Sequence, residues 1–226
     1  MAVRNPFTEA DRARIADAVR AAESRSRGEI VAAVVPAADE YGGAVWRGAA
    51  FGAMLGPLLV TRVDLVSGAW SDPAPWMMVL AAAGGCAVGF LAVRSSAVLT
   101  RWLATDEEIE LRVERAARTA FLEHEVFATR DRSGVLIFLS LLERRVMVLA
   151  DSGIDAVVDP GAWSGIVDQI VRGIREGRPA DALVEAIERC GELLDRAGLE
   201  RREDDRDELD DALRLGDGLT DGGEDE

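Results

Sequence analysis

The chain has 226 residues, with 41 acidic side chains against 26 basic ones and a formal net charge of −15. That balance excludes a protein whose affinity rests on neutralising nucleic-acid phosphates. Every basic residue is arginine and His124 is the one histidine, so lysine-based chemistry and two-histidine zinc motifs are excluded as well.

The first 30 residues are charged and hold no long apolar run, which predicts that there is no cleavable signal peptide. Thr8 with Asp11 three residues on is a capping-box variant. Ile15, Ala18, Val19 and Ala22 follow at helical spacing. Gly28 ends that helix, and Ile30 to Val35 is a β-branched and alanine run closed by Pro36, the pattern of a buried strand. Pro36 to Gly43 reads as a linker.

Two apolar stretches follow. Gly48 to Thr61 carries no charge, and the wider stretch from Ala44 to Val63 is interrupted only by Arg47, Arg62 and small residues. Trp76 to Val93 carries no charge at all. Asp64 to Pro75 lies between them. About 20 residues rising ~1.5 Å each cross a hydrocarbon core, so the pair predicts a transmembrane helical hairpin in contact with the lipid bilayer. Arg47 and Arg62 would snorkel from the two ends of the first span, and Trp46, Trp70 and Trp76 lie at interface levels. Gly48, Gly52 and Gly56 recur every four residues, and Gly85 and Gly89 repeat the spacing. Small residues at that interval let helix backbones approach closely in lipid. Pro57 should kink the first helix. Arg27, Arg47, Arg94, Arg101 and Arg112 flank the hairpin on one side, against Arg62 on the other. Both termini are therefore expected in the cytoplasm, at the cytoplasmic (inner) membrane.

Thr105 to Glu108 is a second capping box. It opens a helix with Ile109, Val113, Ala116, Ala117, Ala120 and Phe121 on one face, running to about His124. His124 reads as a solvated residue favoured by the helix C-terminus. Gly134 to Leu142 and Val146 to Ala150 barely alternate, so both read as strands buried on two faces, joined by a turn of Glu143, Arg144 and Arg145. Asp159-Pro160 should open a helix with Trp163, Ile166, Ile170, Val171 and Ile174 inward. Pro179 should open another with Leu183, Ile187, Leu193 and Leu194 inward. Cys86 and Cys190 stand apart in apolar or helical stretches and read as small hydrophobes rather than a disulfide framework. Glu200 to Glu226 holds 13 acidic residues against four arginines, with four glycines near its end. It reads as a disordered, solvating tail.

These elements predict an α/β domain: a small sheet flanked by helices, with the transmembrane hairpin inserted inside it. Its divisions are residues 1–43 (first helix and strand), 44–97 (hairpin), 98–199 (rest of the domain) and 200–226 (acidic tail). The strand before the hairpin should pair with those after it.

The stretch from Ala117 to Ile154 closes a helix, passes a threonine-containing loop and enters a strand at Gly134-Val135-Leu136-Ile137. A charged turn then returns a second strand into Asp151-Ser152-Gly153-Ile154. With Trp163, Glu176-Gly177-Arg178, Gly191-Glu192-Leu193-Leu194 and the acidic ending Asp204 to Leu209, this resembles the TPM domain family, named after thylakoid and nematode membrane proteins. Thr8 to Val35 fits the family's opening helix and strand, so about 150 residues share the resemblance. It implies an α/β sandwich, often membrane-anchored. Family roles include photosystem repair, receptor modulation and a reported acid-phosphatase activity, and some members bind a divalent ion. This sequence differs in placing the hairpin inside the domain, in having Ala197-Gly198 where an aromatic-proline pair is usual, and in having Glu143 where aspartate is commoner.

The candidate ligands for a divalent cation such as calcium are Asp131, Glu143 and Asp151, loop or turn carboxylates of the kind hard cations accept. Asp155 and Asp159 lie nearby. The same residues have ordinary uses: Asp159 caps a helix, Asp151 turns with Gly153, and Glu143 pairs with an arginine. Otherwise no cofactor is expected. Arg144 and Arg145 on one side, and Asp204, Asp205, Asp207 and Glu208 on the other, have the opposite charges of a docking pair or of two partner-facing patches. The function expected is a non-enzymatic interaction or assembly- and repair-assisting module for another membrane protein. The alternative is a metal-dependent acid phosphatase using the loop carboxylates.

Overall fold

The computed structural model describes residues 3–67, 74–159, 161–198, 209–217 and 219–220. Its main sheet has four strands in the order β4-β3-β2-β5. These are β2 (Glu29–Val35), β3 (Gly134–Ser140), β4 (Arg145–Ala150) and β5 (Arg214–Leu215). β2 and β3 run parallel from Glu29↔Gly134 to Val35↔Ser140, so the strand before the hairpin does pair with one after it. β4 returns antiparallel to β3, and β5 lies parallel to β2. A short second ladder joins β1 (Val3–Arg4) to β6 (Leu219–Thr220).

β2 and β3 are buried along their length because they are the two central strands. On one face Ile30, Ala32, Val34, Val135, Ile137 and Leu139 meet α1 (Glu9–Glu23), α7 (Ala162–Arg175) and α8 (Pro179–Arg196) in one core. Thr8 caps α1 in a full capping box with Asp11, and Pro179 opens α8 at its first turn. Gly191 brings α8 against α1: a Cβ there would stand 2.8 Å from that of Ala22. Cys190 is buried in this core, and burial pushes its thiol up to about 12, which leaves it inert. α6 (Ser152–Asp155) is a single turn capped by Asp151.

Four expectations are corrected. β4 is only partly buried, apart from Val146, because it is an edge strand and lacks a neighbour on one side. α7 starts at Ala162 rather than at Pro160: Gly161 is its cap and donates its N–H to Asp159 at 2.6 Å. Pro160 lies outside the described residues. The acidic tail is not wholly solvated, since Leu213 is buried and β5 joins the sheet, with the Gly216 N–H bonded to the Val34 carbonyl at 2.8 Å. His124 is half-buried, and burial with nearby Arg214 holds its pKa below the ordinary histidine value, against a small opposing pull from Glu123.

The chain divides into two compact units, residues 39–110 and residues 2–38 with 111–226. The first consists mainly of α2 (Gly42–Ser67), α3 (Pro75–Ser95) and α4 (Ala97–Leu103) and includes the first turn of α5 (Asp106–Glu123). α2 continues past Arg62 and Asp64 and runs through Pro57, so the connection to α3 is shorter than the charged residues suggest. Both helices are long and apolar enough to cross a membrane by length and composition.

Candidate functional site

The N-terminal end of the parallel strand pair gathers carboxylates. Glu29 opens β2, and its N–H bonds to the Ser133 carbonyl at 3.1 Å. Glu23, one turn beyond Val19 on the buried stripe of α1, accepts the Ile30 N–H at 2.8 Å. The returning C-terminal segment brings the Leu209 N–H to 3.4 Å from Glu29 and Asp211 to 3.8 Å from Arg20. Glu23 and Glu29 are both buried. Burial, then the charges of Glu29 and Asp211, push the Glu23 carboxyl up to about 9, although the Ile30 N–H favours its ionised form. Asp211 faces Glu23 and, with burial, favours its protonated form.

Beside this group lies a tightly tied loop. The Ser133 hydroxyl donates to the Arg27 carbonyl at 2.8 Å, and Thr129 Oγ1 accepts the Ser133 N–H at 2.9 Å. Arg132, at φ 55°, faces Asp151 at 3.0 Å and lies over the Phe127 ring. Asp131 faces Arg27 at 3.6 Å. Gly153 is required here, because a Cβ would stand 2.3 Å from the Asp131 carbonyl oxygen.

Two of the three candidate cation ligands, Asp131 and Asp151, thus occupy neighbouring loops, each with an arginine against it. The third is elsewhere. Glu143 lies beyond the far end of the seven-residue β3, about 20 Å away at ~3.4 Å per residue. It is buried, accepting the Ser140 hydroxyl and, at 2.9 Å, the Ala38 N–H. Its carboxylate thereby pins the last residue before the hairpin unit. Asp131, Glu143 and Asp151 do not meet around one ion, and no group of three His, Cys, Asp or Glu suited to a metal occurs among the described residues.

Arg144 and Arg145 are exposed, Arg144 at φ 53° in the turn and Arg145 opening β4. Asp204, Asp205, Asp207 and Glu208 lie outside the described residues. The segment after them pairs Asp210 with Arg214 at 3.1 Å on the β5 edge of the sheet, opposite the β4 edge. Glu23 and Glu29 were missed from the sequence. Their signal is an acidic residue at an apolar-stripe position and another at the first position of a buried strand.

In the hairpin the five glycines form the seam between α2 and α3. A Cβ on Gly52 would stand 2.0 Å from the Gly85 carbonyl oxygen, and one on Gly85 the same distance from that of Gly52. Gly56 faces the Ala81 carbonyl at 2.0 Å, Gly89 that of Gly48 at 2.2 Å, and Gly48 the Val93 side chain at 2.3 Å. Trp46 meets Phe90 edge-on at 5.8 Å, and Arg47 pairs with Glu108 at 2.5 Å.

Residues 96–193 match the family model of the TPM domain. Over this stretch the chain is similar to the TPM domain. The match begins at the end of the hairpin, whereas the sheet here also contains β2, which precedes it. A similar fold occurs in the NMR structure of the BA42 protein from the psychrophilic bacterium Bizionia argentinensis sp. nov.. The TM-score is 0.57 at 18% identity, over 95% of this chain and 98% of that one. No curated protein matches the sequence.

Proposed function

We propose that this chain is a TPM-domain protein anchored in the cytoplasmic membrane by α2 and α3, and that it serves another membrane protein as an interaction or assembly- and repair-assisting module. The observation that carries the anchor is the outward face of the hairpin. Met54 (73% exposed), Leu59, Leu80 and Leu91 point away from the helix pair while the glycines face inward. So large an exposed apolar surface needs a lipid or protein environment, and glycine-mediated close approach is a common way for helices to associate in lipid. The arginine bias supports a cytoplasmic side for both termini. The partner-facing elements are Arg144 and Arg145 in the hairpin turn and the acidic run Asp204, Asp205, Asp207 and Glu208.

The test is crosslinking and pull-down from native membranes. The control carries Asp204→Asn, Asp205→Asn, Asp207→Asn and Glu208→Gln. Substitution is preferable to truncation because β5 lies downstream and belongs to the sheet. A membrane protein enriched with the native chain and lost with the variant is expected. Recovery of the chain in the soluble fraction would overturn the anchor. A membrane-bound chain with no enriched partner, but with calcium-dependent hydrolysis of p-nitrophenyl phosphate, would favour the phosphatase reading.

A further inference from the structure

The chain does not pass straight from the second span into the domain. At Ser96 the backbone turns extended (φ −121°, ψ 111°), ending α3, and α4 begins at the next residue. The Ser96 hydroxyl accepts the Leu99 N–H, and the Thr100 hydroxyl donates to the Val93 carbonyl at 2.9 Å. α4 is therefore bound to the end of α3 by side-chain hydrogen bonds, and Leu99 lines the same groove as Gly48 and Ala92. Its orientation leaves the wrong groups outside for a water-facing helix. Val98 is 77% and Trp102 79% exposed, while the one buried residue is polar Thr100. Val98 and Trp102 lie four apart and share a face. Arg94 and Arg101 flank them, both exposed. Gly48 lies against Val93, so Trp46 and Arg47 stand at this same end of the hairpin.

We propose that α4 lies in the plane of the membrane as an interfacial helix and selects anionic phospholipid. Val98 and Trp102 enter the headgroup–acyl boundary, and Arg94 and Arg101 bind the phosphates of the same leaflet. The inference rests on the membrane reading above. An apolar face with a tryptophan and adjacent arginines is the composition of an interfacial anchor, tryptophan favours that depth, and arginine matches phosphate geometrically and electrostatically.

The experiment uses the full chain with Trp102 as its only tryptophan, the other four changed to phenylalanine. It is reconstituted into vesicles of equal parts phosphatidylcholine and phosphatidylglycerol, in which one lipid or the other carries bromine. Lipid brominated near the headgroup should quench Trp102 more than lipid brominated near the chain end. Brominated phosphatidylglycerol should quench more than brominated phosphatidylcholine, by on the order of fivefold in local enrichment for each arginine. Arg94→Gln with Arg101→Gln should abolish that difference and keep the depth. A second chain carries its only tryptophan at Phe51→Trp in mid-span, where deep bromines should quench it.

If mid-span quenching fails, the membrane reading fails. If mid-span quenching succeeds while Trp102 is untouched by any brominated lipid, α4 is covered by protein and the inference is overturned. Equal quenching by the two lipids overturns the anionic preference. Should the tryptophan replacements disturb the fold, phosphatidylglycerol co-purifying with the native chain, and several-fold less with the Arg94→Gln, Arg101→Gln chain, reads the same preference. Equal amounts would count against it.

Discussion

In the α/β domain the large side chains turn inward, and in the hairpin they turn outward. Phe138, Ile170 and Ile187 are fully buried, while Met54, Leu80 and Val88 are mostly exposed. Conversely, glycine fills the hairpin seam, where the nearest neighbours are backbone carbonyls. With the hairpin in a membrane, as proposed above, the difference reflects two ways of holding helices together. Water drives apolar area into the domain core, whereas lipid offers no such drive and rewards close backbone approach. Side-chain volume stabilises one region and the absence of side chain stabilises the other.

The largest effect should come from the domain. Ile187→Ala leaves a cavity in the α8 side of the core and should cost about 2–5 kcal/mol, read from urea unfolding of the full chain in micelles by Trp163 fluorescence. A loss within experimental error would mean that the core is not close-packed there. Next is the hairpin seam, where Gly85→Leu puts a side chain against the Gly52 carbonyl and should cost about 1–3 kcal/mol. Trp46 beside Phe90 reports hairpin unfolding, while Trp163 should report an unchanged domain. A simultaneous shift of both probes would break the comparison.

A pH-dependent effect concerns Glu23. Its folded pKa is raised to about 9 from an ordinary 4.5, so between those values the native chain binds a proton that the unfolded chain has released. The stability linked to this group is full below about 4.5 and is lost as pH rises toward about 9. Glu23→Gln keeps an oxygen for the Ile30 N–H and cannot ionise. Its stability relative to the native chain should therefore rise between about pH 6 and about pH 9, measured as the shift in thermal midpoint. A constant difference across that range would show that Glu23 is ionised in the fold. Glu29 and Asp211, which face it, remain in both chains.

Much of the fold was legible because local signals agreed with the final packing. Thr8 and Pro179 start their helices as capping chemistry requires, and the uninterrupted Ile30 to Val35 run marked a buried strand. Three features were hidden. Val146 to Ala150 has the same uniform apolarity as β3, yet an edge strand and a central strand differ only in neighbours. Arg214 and Leu215 sit in an acidic, glycine-rich stretch whose composition argues for solvation, and two residues are too few to show a period. Asp131, Glu143 and Asp151 lie around one β-hairpin in sequence, but the length of its strands sets Glu143 at the opposite end of the sheet from the other two.

The sequence by itself determined where α1, α5 and α8 begin, which helices are apolar on every side and which glycines share a helix face, because these follow from spacing along one element. Only the tertiary structure decided that the segment before the hairpin supplies a central strand, that the acidic ending returns to the edge beside it, and that Glu23 is buried against Asp211. Those pairings join residues separated by up to nearly the whole chain. Their energies depend on which groups come to share a buried space, and no local pattern encodes that.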